Sequence, residues 1–372
     1  MTAPPLQHDI PFSALTTLGV GGPAAALTQA SDAEALRRCL DRADASDAPV
    51  LLLGGGSNLL VADGGFAGHV IQITDPRIER RGRSGSRARV RVGAGRVWDD
   101  FVDWAVKRDL AGVECLSGIP GRVGAAPMQN VGAYGQEVAE VIAAVEAVDR
   151  QDGSLTRFAP AECGFGYRTS RFKHGEPDRW IVMAVEFDLV PGGAPALRYK
   201  DLKRQAGALR SRGLGGVRQM VLEIRARKSM VLDPLDPDAR SAGSFFTNPV
   251  VSAETVADVE ARARTLGIEG PVPQWPAGDQ VKLAAAWLIE RAGFAKGFGH
   301  GPAGLSTKHT LAIVNRGGAT ARDVAGLATV VRRGVHDAFG VRLVPEPVFV
   351  GWGGAGTDDA SAVLDAIDSG DL

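Results

Sequence analysis

The stretch SGIPGRVGAAPMQNVGAYGQEV, residues 117–138, is the part of the sequence from which the fold can be inferred. It has glycines at positions 118, 121, 124, 132 and 135, prolines at 120 and 127, and neither helical nor strand periodicity. Because such a segment cannot form regular backbone ladders, we expect its N–H groups to face a ligand, most often a diphosphate. The alternative, a plain surface loop, is less favoured because apolar residues such as Ile119 and Met128 argue against disorder.

The composition excludes several classes of protein. With 372 residues, 45% of them hydrophobic, the chain can form two or three domains with well-buried cores. A formal net charge of -1 provides no general basic face for nucleic acid or an anionic membrane. Three widely spaced cysteines, Cys39, Cys115 and Cys163, fit neither a disulfide framework nor a metal site, which indicates a reducing cytoplasm. The N-terminal MTAPPLQHDIPF lacks the features of a signal peptide, and no apolar run is long enough to span a membrane, so we expect a soluble protein.

A second glycine-rich segment follows a short buried strand. The apolar residues 50–53 run directly into Gly54, Gly55, Gly56, Ser57 and Asn58, and a phosphate can approach backbone amides closely at such a junction. The segment is neither a Walker loop, since no Lys-Ser/Thr pair follows, nor a GxGxxG motif. A tight turn and a nucleotide site are therefore equally compatible with this segment alone.

The remaining periodicity predicts a mixed α+β protein. A helix is expected after the residues SDAE at 31–34, which form a capping box. A rigid connector, DPLDP at 233–237, leads into a second domain of α/β character. Further helices are expected at 98–110, 255–266, 281–292 and 321–339, and strands at 69–73, 87–92, 141–148, 180–189, 311–315 and 341–350.

Two further segments carry residues with two possible roles. In GFGYRTSRFK, residues 164–173, Arg168 is flanked by aromatic residues that suggest partial burial, and a buried arginine needs an anionic partner, for which a substrate is a candidate. In GSFFTNP, residues 243–249, Ser244 is either a small core hydroxyl or a proton donor in a dry pocket. From the residues alone the core interpretation of Ser244 is slightly favoured.

The motifs, taken together, resemble the UDP-N-acetylenolpyruvoylglucosamine reductase (MurB) family. GGGSNLL at 54, VGAG at 92, IPGRVGAAPMQNVGAYG at 119, GYRTSRFK at 166, GSFFTNP at 243 and PEPVFVG at 345 occur in the family's order, and the likeness covers about residues 12–351. It implies an FAD-binding fold of the vanillyl-alcohol-oxidase type with two α+β subdomains, and a C-terminal α/β substrate-binding domain. The expected ranges are 1–228 for the FAD-binding region, split near 75–90, 229–345 for the substrate domain, 346–356 for a strand returning to the first region, and 357–372 for a disordered tail.

The resemblance also implies the cofactors and a set of cofactor-binding residues. FAD is expected to be bound without a covalent link, because the first glycine loop lacks the His or Cys that tethers flavin in many oxidases of this fold, and NADPH is the expected hydride donor. The residues implied for FAD binding are Gly54, Gly55, Gly56, Ser57, Asn58, Ile119, Pro120, Gly121, Gly124, Ala125, Gln129, Asn130, Gly132, Ala133 and Tyr134.

Catalytic roles follow from the same resemblance. Hydride passes from NADPH through the flavin to the terminal alkene carbon of the enolpyruvyl ether of a UDP-sugar, and negative charge develops beside the carboxylate. Arg168 would pair with that carboxylate, a protonated Glu346 would polarise it, and Ser244 would donate the final proton.

The substrate-binding residues implied are Tyr167, Tyr199, Lys228, Asn248 and His309. Tyr199 and Lys228 are similar to residues that bind the substrate diphosphate, and the tyrosine-bearing loop is typical of type I members of the family. We expect a monomer with no nucleic-acid or membrane partner.

Two other interpretations are weaker. An FAD oxidase of the same fold would pass electrons to oxygen, and a UDP-sugar sensor would keep the glycine loops without the chemistry. The joint presence of Arg168, Ser244 and Glu346 argues against a sensor. A colourless protein that binds no added FAD would exclude the reductase interpretation.

Overall fold

The structure is a computed structural model that describes residues 4–354 and 356–372, apart from the side chain of residue 210. The helices are α1 Ala33–Asp44, α2 Trp98–Val106, α3 Lys200–Arg204, α4 Ala206–Ala226, α5 Ala253–Thr265, α6 Ala285–Arg291, α7 Ala321–Phe339 and α8 Ala360–Ser369. The strands are β1 Gln7–Pro11, β2 Pro23–Ala30, β3 Val50–Leu53, β4 Leu59–Val61, β5 Phe66–Ile73, β6 Ile78–Ser84, β7 Arg87–Gly93, β8 Leu110–Ala111, β9 Gly132–Ala133, β10 Gln136–Glu137, β11 Ile142–Asp149, β12 Leu155–Phe158, β13 Trp180–Pro191, β14 Val250–Val251, β15 Gln274–Ala277, β16 Gln280–Leu283, β17 Ala303–Leu305, β18 Ile313–Asn315, β19 Val348–Val350 and β20 Thr357–Asp358.

The chain forms two compact units, each assembled from separate stretches of sequence. The first contains the residues up to His8, Ala26–Gly55 and Gly68–Val231, and the second contains Asp9–Ala25, Gly56–Ala67 and Leu232–Leu372. This division differs from the expected continuous ranges, because two short stretches near the N-terminus belong with the C-terminal unit. A regular pattern within one segment carries no information about such distant partners.

The first unit is built on an antiparallel sheet in the order β12-β11-β13-β7-β6, with β8 added beside β13. The central strand β13 is buried from Trp180 to Phe187, as expected of a strand with neighbours on both sides. Helix α2 packs on this sheet through Phe101, whose ring lies 4.7 Å from that of Phe187. Such aromatic contacts contribute about 0.5–1.5 kcal/mol beyond the area that they bury.

A smaller parallel pairing in the same unit positions the first glycine segment. Strand β3 pairs with β5 from Val50–His69 to Leu53–Gln72, so that Gly54 follows directly at the carboxyl end of β3. Helix α1 begins after Asp32, whose side chain accepts a hydrogen bond from Ala35 N at 2.8 Å. Its buried residues form the stripe predicted from the sequence: Ala35, Leu36, Cys39, Leu40 and Ala43.

Helices α3 and α4 complete the first unit and were not predicted. Helix α4 is interrupted at Gly213, which has φ 60° and ψ -157°, and further glycines in this helix weaken any helical signal in the sequence. The helix forms because one face is buried in a small cluster. The members of this cluster are Cys115, Leu202, Leu209, Val217, Val221 and Ile224.

The second unit has its core around α7. That helix has a capping box between Thr320 and Asp323 and ends at Gly340, which is left-handed with φ 71°, so its predicted range agrees with the structure. Phe245, Phe339 and Phe349 are among the fully buried side chains of this core. The unit also contains the three-stranded sheets β14-β16-β15 and β20-β19-β4.

Three expectations for the second unit need correction. The predicted helix at 281–292 begins only at Ala285, because the preceding residues pair as β16 with β14 and β15. The predicted strand at 341–350 is limited to β19, since Pro345 and Pro347 have no N–H to donate to a ladder. The tail is not disordered: α8 packs against α7, with Val363 and Leu364 buried.

The described residues contain no helix that is both long and apolar enough to cross a lipid bilayer.

Candidate active site

Within the first unit, the start of the first glycine-rich segment meets the long glycine-rich segment through the backbone. A Cβ atom added to Gly55 would lie 2.7 Å from Gly121 Cα, so only glycine fits at this crossing. The carbonyl of Gly54 is held by Gln72, whose Nε2 donates to it at 3.2 Å. The sequence motifs at 54 and 119 therefore belong to one local structure.

Several N–H groups of the long segment donate to residues 94–99, which corrects the expectation that these N–H groups are free. Gly124 N donates to Ala94 O at 3.0 Å, and Val123 N donates to Arg96 O at 2.9 Å. Gly118 N donates to Asp99 Oδ1 at 2.6 Å. These N–H groups are therefore not available to a ligand. The carbonyl groups of Ala94 and Arg96, in the loop before α2, accept the hydrogen bonds that a neighbouring strand would accept in a regular sheet.

A cavity of about 150 Å³ lies beside the glycine crossing. The space is partly open to solvent, and its lining side chains are apolar. Gly54 and Gly124 both line this space, so backbone as well as apolar side chains form its surface. The lining residues are Leu52, Leu53, Gly54, Ile73, Ala94, Gly124, Ala125, Met128, Trp180, Ile181 and Val182.

Positive φ angles occur at several residues that the resemblance assigned to the site. Asn130, Tyr134 and Arg168 have φ 43°, 50° and 55°. Residues other than glycine, asparagine and aspartate rarely adopt this region, and such strain is concentrated at functional sites. Asn130 is held by its side chain, which donates to Glu137 Oε2 at 2.9 Å and to Gly166 O at 3.1 Å.

Arg168 lies against the end of the long glycine segment. Its Nη2 donates to Gly132 O at 3.2 Å, and its guanidinium carbon lies 5.7 Å from the centre of the Tyr167 ring. Tyr167 is exposed, whereas Arg168 is half-buried. The structure therefore brings together Arg168, Gly132 and Tyr167, three of the predicted site residues.

A carboxylate that the sequence interpretation missed anchors the start of this segment. Asp99 accepts the Gly118 N–H and is also bonded by Arg218 at 2.6 and 2.8 Å. Burial raises the pKa of Asp99, but the hydrogen bonds from Arg218 and Gly118 outweigh burial and lower the pKa below its usual value. No sequence signal identifies Asp99, because an acidic residue in the first turn of a helix is ordinary.

Tyr199, a predicted substrate residue of the first unit, lies beside the other end of the segment. The ring of Tyr199 meets that of Tyr134 edge-on, with centroids 5.1 Å apart. Burial and the charge of Asp201 raise the pKa of Tyr199, so its phenol remains a hydrogen-bond donor at neutral pH. Lys228 follows the end of α4, where its N–H donates to Arg225 O at 2.9 Å.

In the second unit, the structure connects three predicted site residues through one backbone network. Glu346 N donates to Phe245 O at 2.9 Å, next to the half-buried Ser244. Asn58 Nδ2 donates to Glu346 O at 3.1 Å, and Val348 N returns a hydrogen bond to Asn58 O at 2.9 Å. The positions of Ser244 and Glu346 along adjacent segments are thus fixed by main-chain bonds.

The other predicted residues of the second unit have structural contacts of their own. Gly56 has φ 63°, and an added Cβ would lie 1.8 Å from Leu15 O, so this glycine is required by the fold itself. Asn248 Oδ1 accepts from Ala285 N at 3.0 Å at the start of α6. His309 lies in a turn where its carbonyl accepts from Ala312 N at 3.1 Å. No ligand role follows from these contacts alone.

The comparisons with known proteins define the class of protein as a flavin-binding one. A family model for an FAD binding domain matches residues 24–159, and a model for the UDP-N-acetylenolpyruvoylglucosamine reductase C-terminal domain matches residues 233–350. UDP-N-acetylenolpyruvoylglucosamine reductase from Thermobifida fusca is 50% identical over 92% of this chain and 98% of its own. The homologue from Mycobacterium tuberculosis is 46% identical over 93% of this chain and 95% of its own. The chain belongs to the UDP-N-acetylenolpyruvoylglucosamine reductase family.

A solved structure supports the same conclusion for the fold. The MurB structure from Thermus caldophilus matches with a TM-score of 0.63 and 28% identity, covering 94% of this chain and 100% of that one. The expected fold class, an FAD-binding α+β region with a C-terminal domain of the same family, is confirmed. FAD as the cofactor is confirmed by the matching FAD-binding model.

Proposed function

We propose that this protein catalyses the NADPH-dependent, FAD-mediated reduction of UDP-N-acetylglucosamine enolpyruvate to UDP-N-acetylmuramate, a step in peptidoglycan precursor synthesis. The observation that carries the proposal is 50% identity to the UDP-N-acetylenolpyruvoylglucosamine reductase of Thermobifida fusca over nearly the whole of both chains. The catalytic residues expected from the family motifs, Arg168, Ser244 and Glu346, are all present. Bound FAD would supply the hydride relay between NADPH and the enolpyruvyl alkene.

The cavity geometry supports non-covalent FAD held by the first unit. Gly54, Gly124 and Ala125, all predicted FAD residues, line the same cavity, and Gly55, next to Gly54 in sequence, contacts Gly121. The first glycine segment contains no His or Cys that could form a flavin bond. Of the remaining predicted FAD contacts, Ile119, Pro120, Gln129 and Ala133 belong to the same long segment, and Ser57 follows Gly56 in the first one.

Arg168 and Glu346 are proposed to act on the substrate carboxylate. The guanidinium of Arg168 would hold the carboxylate and stabilise the negative charge that develops on the adjacent carbon, an effect that is large where water is excluded. Its left-handed backbone and its bond to Gly132 O fix the direction of the side chain. Glu346, whose main chain is bonded at both its N–H and its carbonyl, would act on the same carboxylate.

Ser244 is proposed to complete the reduction by donating its Oγ proton to the carbon that carries the carboxylate. A serine hydroxyl is a weak acid. This step therefore requires nearby cations that stabilise the alkoxide, or a relay that returns a proton to the serine. Tyr167, Tyr199, Lys228, Asn248 and His309 are proposed as substrate contacts. We further propose that the enzyme is a monomer and that it is cytoplasmic; the three buried free cysteines support a reducing compartment.

The proposal is tested by separating the two half-reactions in anaerobic stopped-flow absorbance. The purified protein should be yellow and should release intact FAD on acid precipitation. Ser244→Ala should still be bleached by NADPH, whereas its reoxidation by the UDP-sugar should slow by roughly 10²-fold to 10⁴-fold. Ser244→Cys should retain more activity than Ser244→Ala, because a thiol can still donate a proton.

A matched control is Ser252→Ala, which removes the cap of α5 and should lower stability by about 1 kcal/mol while leaving both half-reactions unchanged. Wild-type reoxidation of Ser244→Ala, with only a lower melting temperature, would make Ser244 a core residue. A colourless protein that oxidises no NADPH with the UDP-sugar would refute the proposed function as a whole.

A further inference from the structure

A buried cation without a counter-ion lies at the end of α4. Arg225 is only 8% exposed, and burial lowers its pKa, opposed in part by the phenol of Tyr134 and the charge of Asp99. Nη2 donates to Met230 O at 2.5 Å, but Nε is buried and has no hydrogen-bond partner among the described residues. None of the described carboxylates forms an ion pair with Arg225, because both oxygens of Asp99 are bonded by Arg218. A buried charge in this state destabilises a fold unless something else binds it.

A second unpartnered polar group lies four residues further on. Ser229 is 4% exposed, and its Oγ has no hydrogen-bond partner in the part of the chain that the structure describes. The residue closes the C-terminus of α4 with φ 54°, where Ser229 N donates to Ala226 O and Met230 N donates to Arg225 O. Glycine is strongly preferred at this position of such a helix end. A serine here is strained and has its hydroxyl buried, which points to a function for that hydroxyl.

The unpartnered donor of Arg225 lies between the two ends of the long glycine segment. A Cβ added to Gly118 would lie 3.3 Å from Arg225 Nε, so the guanidinium is in contact with the start of the segment. Tyr134, near its other end, interacts electrostatically with Arg225, and the Tyr134 ring contacts Tyr199. The cation therefore lies beside Gly118, the neighbour of the predicted FAD residue Ile119, and close to Tyr134, which in turn contacts the predicted substrate residue Tyr199.

We propose that Arg225, assisted by Ser229, binds the diphosphate of a nucleotide. A guanidinium offers several donors to phosphate oxygens in a fixed geometry, and bonds between two charged groups are about twice as strong as neutral ones. The inference rests on the proposed function in one respect, since that function supplies two diphosphates, those of FAD and of the UDP-sugar. FAD and the UDP-sugar both carry a diphosphate, and the experiment shows which of the two Arg225 binds.

The test measures binding rather than turnover. Arg225→Met keeps the volume and removes the charge, and Arg225→Lys keeps the charge without the planar fork. The dissociation constant of FAD is measured by flavin fluorescence after reversible removal of FAD, and that of UDP by calorimetry on the FAD-loaded protein. In Arg225→Met we expect one of the two constants to rise about 10-fold to 100-fold, with a smaller rise in Arg225→Lys. The ligand that is weakened is the one whose diphosphate Arg225 binds.

Ser229→Gly and a matched control separate binding from strain. Asp47 occupies the equivalent left-handed position at the end of α1, with Asp47 N donating to Asp44 O and Ala48 N donating to Ala43 O. Both Ser229→Gly and Asp47→Gly should raise the melting temperature, because glycine adopts this conformation without strain. Only Ser229→Gly should weaken binding of the same ligand that Arg225→Met weakens.

Wild-type affinity for both FAD and UDP in Arg225→Met, Arg225→Lys and Ser229→Gly would overturn this inference. The proposed function would survive that result if the wild-type protein still reduces the enolpyruvyl substrate. Conversely, an inactive wild-type protein whose FAD or UDP affinity depends on Arg225 would refute the proposed function and leave the diphosphate site standing.

Discussion

Replacing Gly54 with alanine should weaken FAD binding without disturbing the fold. An added Cβ would lie 3.8 Å from Ala125 Cβ, an ordinary contact, and Gly54 does not have a positive φ, so the flavin-free protein should accommodate the methyl group. The methyl group would instead enter the cavity of about 150 Å³ that Gly54 lines. Overfilling a well-packed space usually costs about 1–3 kcal/mol, which corresponds to a roughly 5-fold to 150-fold rise in the dissociation constant of FAD.

The assay is fluorescence titration of the flavin-free protein with FAD, accompanied by its melting temperature. Gly64→Ala is the matched control, because no atom lies within 4 Å of its added Cβ, and it should change neither quantity. Gly56 is a poorer test, since its added Cβ would lie 1.8 Å from Leu15 O and would damage the fold directly. A Gly54→Ala protein with the wild-type melting temperature and wild-type affinity would show that FAD does not occupy the cavity.

Three further predictions concern substrate, pH and thiols. Tyr199→Phe and Lys228→Ala should raise the KM for the UDP-sugar by about 10-fold while leaving flavin reduction by NADPH unchanged, and an equal loss in both half-reactions would indicate misfolding instead. The pKa of Asp99 is lower in the folded than in the unfolded state, because the bonds from Arg218 and Gly118 outweigh burial. Its contribution to stability is therefore complete above about pH 4 and is lost as the pH falls further, so melting temperatures between pH 6 and pH 3 should fall less in Asp99→Asn than in the wild type. Burial raises the pKa of Cys163 to about 11. A thiol reagent at pH 8 should therefore react slowly with the native protein and rapidly with all three cysteines after denaturation. Fast labelling of the native protein would contradict the buried environment of the thiols.

The elements that the sequence predicted well carry their signals locally. Helix α7 has a polar cap, a regular apolar stripe and a terminal glycine, all within the segment itself. The long strand β13 is a continuous apolar run, and its burial by neighbours on both sides explains that composition. The missed helix α4 contains several glycines, and it is stabilised by contacts with Cys115 and Leu202, which no local pattern reveals.

The candidate site was predictable to the extent that it is encoded in motifs. The motifs identified both glycine segments and Arg168, and the structure adds the crossing of Gly55 with Gly121. The sequence did not single out Asp99 or Arg225. Asp99 resembles any acidic residue in the first turn of a helix, and Arg225 lies in a run of basic residues that is typical of an exposed surface. Their importance comes from burial and from partners distant in sequence.

The pairing of β4 with β19 has a consequence for how the chain folds during synthesis. Asn58 bonds Glu346 across 288 residues, and Leu60, fully buried in the second unit, emerges from the ribosome long before its partners. Closing so long a loop is entropically unfavourable until many contacts form together, which slows folding. The early stretches Asp9–Ala25 and Gly56–Ala67 must therefore remain without their C-terminal partners until the rest of the second unit has been synthesised, a period when chaperone binding would protect them from aggregation.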